Sequence, residues 1–190
     1  FDGNGYSDEW KKEAAKRGLP NIKTVIDAAS TLTSDKAVAL FEQFGIYTKA
    51  ELESREEIIY ETYAKTINIE ALTMIDMAGK QIIPAAVTYL GILANTVNQL
   101  VTAGVNATVQ KDMLTLVSDK LAAMQKALDG LKEVESKARK IKTAKDQAFY
   151  YKVFVIPAMD ALRVPADELE MIVDKKLWPI PTYGELMFEV

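Results

Sequence analysis

IEALTMIDMAGKQIIPAAVTYLGIL, residues Ile69 to Leu93, is the stretch on which the fold turns. It is the middle of a longer apolar-striped segment that runs from Thr48 to Gly104. Thr48 with Glu51 three residues on fits a capping box, in which each side chain satisfies a free backbone N–H at a helix start. Apolar residues then recur at helical spacing: Ile58, Ile59, Tyr63, Ile67, Leu72, Ile75, Ile82, Ala86, Leu90, Leu93, Val97 and Leu100. Two residues interrupt this pattern. Gly79 weakens a helix, and Pro84 lacks the backbone donor and crowds the preceding turn. The segment therefore reads as one kinked helix, or as two helices joined near 80–84.

Outward from this rib, everything reads as helix. Ser7 suits the N-cap of a short helix, Asp8 to Arg17, with Gly18 as its left-handed stop. A second short helix is expected over Thr24 to Leu32, and a third over Asp35 to Phe44, capped by Ser34 and stopped by Gly45. These pieces are too short to stand alone, so they must pack on something. Leu40, Phe41 and Phe44 are the expected anchors. Beyond Gly104-Val105-Asn106, a long helix is expected from about Ala107 to Ile141. Its face is Val109, Met113, Val117, Leu121, Met124, Leu128, Leu131, Val134, Ala138 and Ile141, close to a coiled-coil seam. A last long element runs from Thr143 to Lys176. Phe149, Val153, Ile156, Leu162, Leu169, Ile172 and Val173 form its buried face, with a kink expected at Pro157 and a kink or break near Val164. Trp178-Pro179-Ile180-Pro181 ends helix formation, and Tyr183 to Met187 has room for one more turn.

No alternating run bounded by turns suggests a strand. The expected fold is all-α: an elongated antiparallel bundle of three to four long helices, kinked at prolines, with a small helical N-terminal lobe. The expected division is 1–45 for the lobe, 46–178 for the bundle and 179–190 for a tail packed on the bundle. At 190 residues with 49% hydrophobic content, a core is attainable without staples.

Composition removes several chemistries. There is no cysteine, hence no disulfide, thiolate zinc site or cysteine nucleophile. There is no histidine, which removes the commonest general base and every Ser-His triad. A net charge of −4 argues against a nucleic-acid partner. No segment reaches about 18 uninterrupted apolar residues, so no membrane partner is expected. The first residue is Phe1, which suggests a chain cut from something longer.

Candidate chemistry is sparse. Gly3-Asn4-Gly5 lacks the third glycine of a dinucleotide fingerprint and the Gly-Lys-Ser/Thr of a P-loop, so it reads as a turn. Glu57, Glu61, Glu70 and Asp76 line the first long helix, but a di-iron bundle needs Glu-x-x-His, so they read as solvated face charges. The basic cluster Lys137 to Lys145 reads as a helix C-terminal end that balances its dipole. Met74, Met77, Met113 and Met124 sit at core spacing and read as core filler. Tyr150, Tyr151, Trp178 and Tyr183 are the candidate interface residues or tail anchors. No catalytic, cofactor-binding or metal-binding residue is assigned.

Three stretches carry a family resemblance. The opening FDGNGYSDEWKKEAAKRGLPNIKTVIDA, the block LESREEIIYETYAKTINIEALTMIDMAGKQIIPA (Leu52 to Ala85) and the end ADELEMIVDKKLWPIPTYGELMFEV (Ala166 to Val190) resemble the C-terminal region of type III glutamine synthetase, a large bacterial class. The two end motifs are the specific ones; residues 93–150 match mainly in helical character. The resemblance implies a cytoplasmic, homo-oligomeric parent enzyme that makes glutamine from glutamate, ammonia and ATP with a divalent metal (Mg or Mn). It also implies that the metal and ATP sites belong to an upstream catalytic barrel of the same chain. Neither has a counterpart here, so this chain alone is expected to be inactive: a structural or oligomerisation domain. The alternative is a regulatory helical bundle that senses a nucleotide or a nitrogen metabolite, near the basic end or the Trp178 tail.

Overall fold

The computed structural model describes residues 2–188, with the Tyr183 side chain outside the described residues. Every regular element among them is helical. The helices are α1 (Asp8–Lys16), α2 (Val25–Ala29), α3 (Asp35–Gln43), α4 (Lys49–Met77), α5 (Ile83–Thr102), α6 (Thr108–Ala138), α7 (Ala144–Tyr150), α8 (Ile156–Glu170) and α9 (Tyr183–Phe188). Wide π-turns, Ala78–Ile82 and Tyr151–Val155, join α4 to α5 and α7 to α8. The chain forms two compact units, Phe1–Tyr63 and Ala64–Val190.

The local signals act as their chemistry requires. Ser7 Oγ accepts from Trp10 N at 3.3 Å and Ser34 Oγ from Ala37 N at 3.4 Å. The capping box closes in both directions: Thr48 N donates to Glu51 Oε2 at 2.7 Å, and Glu51 N to Thr48 Oγ1 at 3.4 Å. Gly18, Gly45 and Gly104 all have positive φ, the conformation that ends α1, α3 and α5.

The two expected proline sites share one solution. Each π-turn is followed directly by an Ile-Pro pair, Ile83-Pro84 and Ile156-Pro157. Ile83 N–H bonds Ala78 O and Ile156 N–H bonds Tyr151 O, five residues back instead of four. The wider turn takes in one extra residue and re-aims the carbonyls ahead of the proline ring. The helical path thus runs unbroken from Lys49 to Thr102. α8 also continues through Pro165, which lies inside it.

In the N-terminal unit the buried set is Ile26, Ala29, Leu52, Glu56 and Tyr60. Leu40 and Phe44, two of the three expected anchors, are 53% and 67% exposed, while the third, Phe41, is half-buried. Phe41 packs its ring on Tyr47, 5.6 Å between centroids, and Arg55 caps the other ring at 4.2 Å. In the second unit, α6 packs on α5 and on α8. Gly79 stands against Leu128, and a groove pairs Leu90, Gly91 and Ala94 with Leu114, Thr115 and Ser118. One number falls as the other rises, the order expected of neighbours that run in opposite directions. The Lys120–Glu168 ion pair at 2.8 Å and the Gln147 to Ala138 O bond at 3.1 Å set the same order for α6 against α7 and α8.

The buried seam departs from the expected one before the first π-turn and follows it afterwards. Along α4 the buried positions are Leu52, Glu56, Tyr60, Ala64 and Ala71, while Ile58 and Leu72 face outward. From Ile82 onward, Ala86, Leu93 and Val97 are buried as expected. Val109 and Val153, also expected inside, are exposed. Leu52 and Tyr60 are the large buried side chains of α4, with Ala64 and Ala71 further along it, while the bulky Ile58, Ile69 and Leu72 stand outside.

Candidate functional site

Two buried carboxylates stand out. In the N-terminal unit, Glu56 is held at both oxygens: Tyr60 Oη donates to Oε1 at 2.8 Å and Thr33 Oγ1 to Oε2 at 2.5 Å. Burial, and then the bond and charge of Glu56, push the Tyr60 phenol up to about 12. In the second unit, Glu135 near the end of α6 is buried, with Arg139 Nε 2.6 Å from its Oε1, a charge contact without hydrogen-bond geometry. Burial and the Glu135 charge raise the phenol of Tyr151, against an opposing pull from Arg139. The Thr33 and Tyr60 hydroxyls both spend their protons on Glu56, and among the described residues no group of three carboxylates is placed to hold a metal. Nothing in the sequence marked Glu56 or Glu135, because their burial depends on distant partners.

The expected site residues are not gathered at one place. Tyr151 sits inside the second π-turn and is 1% exposed, a core residue. Its neighbour Tyr150 is half-buried and tilts over Phe154, with centroids 4.6 Å apart. Trp178 is half-buried; its backbone N–H bonds Asp174 O at 3.1 Å, and its buried indole Nε1 has no acceptor among the described residues. The Tyr183 side chain lies outside the described residues. The tail itself is tied down by groups the sequence reading did not single out. Thr182 N donates to Glu185 Oε2 at 2.7 Å, Glu185 N to Thr182 Oγ1 at 3.3 Å, and Lys175 pairs with Glu185 at 3.0 Å. The Thr182 N–H and then Lys175 lower the Glu185 carboxyl to about 2. Of the basic cluster, Lys137 bonds Glu133 at 2.7 Å. Glu57, Glu61, Glu70 and Asp76 are all exposed, and Asp76 pairs with Lys80.

A groove of about 920 Å³ lies in the second unit. Met74, Met77, Met124, Met159 and Met171 line it, with Leu162 and Leu186, and acidic α8 residues form one wall. These are five of the chain's seven methionines. Met124 is fully buried, as expected of core filler, and also backs the groove; Met74 and Met77 are half-buried and line it. Their convergence was invisible in the sequence because they come from separate helices.

A family model described as glutamine synthetase C-terminal domain matches residues 1–101. A glutamine synthetase of Butyrivibrio fibrisolvens is 41% identical over 192 residues, covering 100% of this chain and 27% of that protein. The chain belongs to the glutamine synthetase C-terminal domain family. A glutamine synthetase of Bacteroides fragilis (strain YCH46) is 32% identical, covering 99% of this chain and 27% of that protein. A type-3 glutamine synthetase of Dictyostelium discoideum is 31% identical, covering 99% and 26%. The chain therefore spans about a quarter of the length of the curated relatives it matches. The family match takes in α1 to α5 with the first π-turn; the relatives extend the likeness through α6, α8 and the tail.

Proposed function

We propose that this chain is a non-catalytic structural and oligomerisation domain of a type III glutamine synthetase, whose charge-free apolar α5 surface is covered by other parts of that enzyme. On this reading residues 1–45 are the lobe that follows an upstream catalytic barrel of the same chain. Residues 46–178 are an elongated antiparallel bundle, bent at its proline-linked π-turns, and 179–190 are its tail. The parent enzyme, cytoplasmic and homo-oligomeric, makes glutamine from glutamate, ammonia and ATP with Mg or Mn held in the barrel.

The observation that carries this reading is the charge-free face of α5. Residues 81–110 contain no Asp, Glu, Lys or Arg, although 26% of the chain is charged. Val87, Ile92 and Val101 are each about half exposed on this segment. The fully buried centres of protein interfaces are depleted of charge in the same way. An 18-residue window of the Lys49–Thr102 helix, with mean hydropathy 1.3, is also long and apolar enough to cross a membrane by length and composition. Asn95, Asn98 and Gln99 are exposed on the same helix. Their amides are costly in hydrocarbon and ordinary in a protein contact, so we read a protein partner and no membrane.

The test is turnover. The 190-residue chain, supplied with glutamate, ammonia, ATP and metal, should form no glutamine. Turnover that disappeared on substitution of residues in this chain would overturn the reading. A second reading, a regulatory bundle for a nucleotide or nitrogen metabolite, draws on the unpartnered indole N–H of Trp178. Calorimetric titration with ATP, glutamine and ammonium would favour it if saturable binding were lost in Trp178→Phe, which keeps the ring and removes the donor.

A further inference from the structure

The groove of the second unit has a floor of one kind and a wall of another. Its floor is methionine-rich, and methionine is unbranched, polarizable and able to re-pack around different side chains. Such surfaces take the apolar face of an amphipathic helix. The groove is open on one side, where Met171 is 86% exposed and Leu186 is 66% exposed. Its α8 wall carries Asp160, Arg163, Asp167 and Glu170, at gaps of three, four and three, so they form one ridge about 15 Å long. Arg163 Nε bonds Asp167 Oδ2 at 3.1 Å, and these two charges cancel. Asp160 and Glu170 make no ion pair or side-chain hydrogen bond among the described residues. The ridge is therefore net negative, with an uncompensated carboxylate at each end.

We propose that this groove docks a basic amphipathic helix of a partner protein, with apolar residues between the methionines and a Lys/Arg flank against Asp160 and Glu170. The chain's own tail is a poorer occupant. α9 already stands as one wall through Leu186, fixed there by the Thr182–Glu185 box and Lys175. A second copy is also a poorer match, because many of its basic helical residues already carry counter-charges, although Lys12, Lys16, Lys36, Lys111 and Lys126 make no ion pair among the described residues. Lys11 pairs with Asp8, Arg17 with Glu13, Lys137 with Glu133 and Arg139 with Glu135.

Methionine-methyl NMR of the 190-residue chain tests this, with its helix content checked by circular dichroism. The probe is a synthetic helix of about four turns, leucine on one face and lysine on both flanks. Saturable shifts are expected at Met74, Met77, Met124, Met159 and Met171, with Met113 unmoved. A glutamate-flanked version of the peptide should bind about tenfold more weakly. The double variant Asp160→Lys/Glu170→Lys, at two exposed positions, should reverse that preference. Equal binding of the two peptides, or no shift at the five methionines, overturns the proposal. Shifts that follow protein concentration without peptide would assign the groove to a second copy. Binding that begins only after removal of residues 183–190 would assign it to the tail. Either of those results overturns the proposal as well.

Discussion

Glu56 shows how a single residue departs from its sequence reading. A glutamate in a run of charged residues looks like surface, yet Tyr60 and Thr33 each donate to it and it is 9% exposed. Its donor Thr33 lies 23 positions away, so no local pattern reveals the site. The capping residues Ser7, Ser34, Thr48 and Glu51 were legible for the opposite reason: donor and acceptor lie within three residues of each other. Tyr60→Phe removes one donor from a buried carboxylate and should cost about 1–2 kcal/mol in urea unfolding. The same tyrosine sets a pH dependence. Its folded pKa, about 12, lies above the ordinary phenol value of 10, so the folded state holds the proton more tightly. The stability it contributes is complete below pH 10 and is lost as pH rises from 10 through about 12. Melting curves across that window should flatten in Tyr60→Phe; an unchanged alkaline slope would remove Tyr60 as the cause.

At the scale of elements, the prolines were legible as disturbances but their resolution was not. Glycine and proline announce an interrupted helix, while the choice of a π-turn depends on what the helix packs against afterwards. The buried seam follows the apolar spacing from Ile82 onward but not along α4. A stripe built from Ala64, Ala71 and Ala78 is weaker in the sequence than the outward Ile58, Ile69 and Leu72. In a regular α-helix, replacing an interior proline gains about 3 kcal/mol. Here Ile83 already bonds five residues back, so Pro84→Ala should shift stability by less than about 1 kcal/mol in the same urea measurement. A gain near the full amount would mean the π-turn does not relieve the proline. The tail makes a separate prediction. Glu185 is depressed from 4.5 to about 2, so the contribution of its bonds to Thr182 and Lys175 is present above 4.5 and lost as pH falls toward 2. Indole fluorescence of Trp178, read in a Trp10→Phe background, should change across that acid range, and Glu185→Gln should abolish the change.

For the whole molecule, the family was legible because its two end motifs are specific, and the all-helical class because the apolar periodicity is sustained. The Met-lined groove and the charge-free face of α5 were harder to see, since each depends on which residues the fold leaves outside. Ile69, Val87, Ile92 and Val101 are bulky and exposed, a surface that a lone domain in water would not favour. Covering that surface is the central claim. The most direct measurement is the mass distribution of the full-length enzyme carrying Val87→Glu and Ile92→Glu, taken by mass photometry beside the unsubstituted protein. Both positions are about half exposed, so the domain itself should keep its fold and its helix content. The account predicts that the assembly falls to smaller species, or that the domain detaches from its neighbours and becomes protease-sensitive. An assembly of unchanged mass, with unchanged protease resistance, would contradict it.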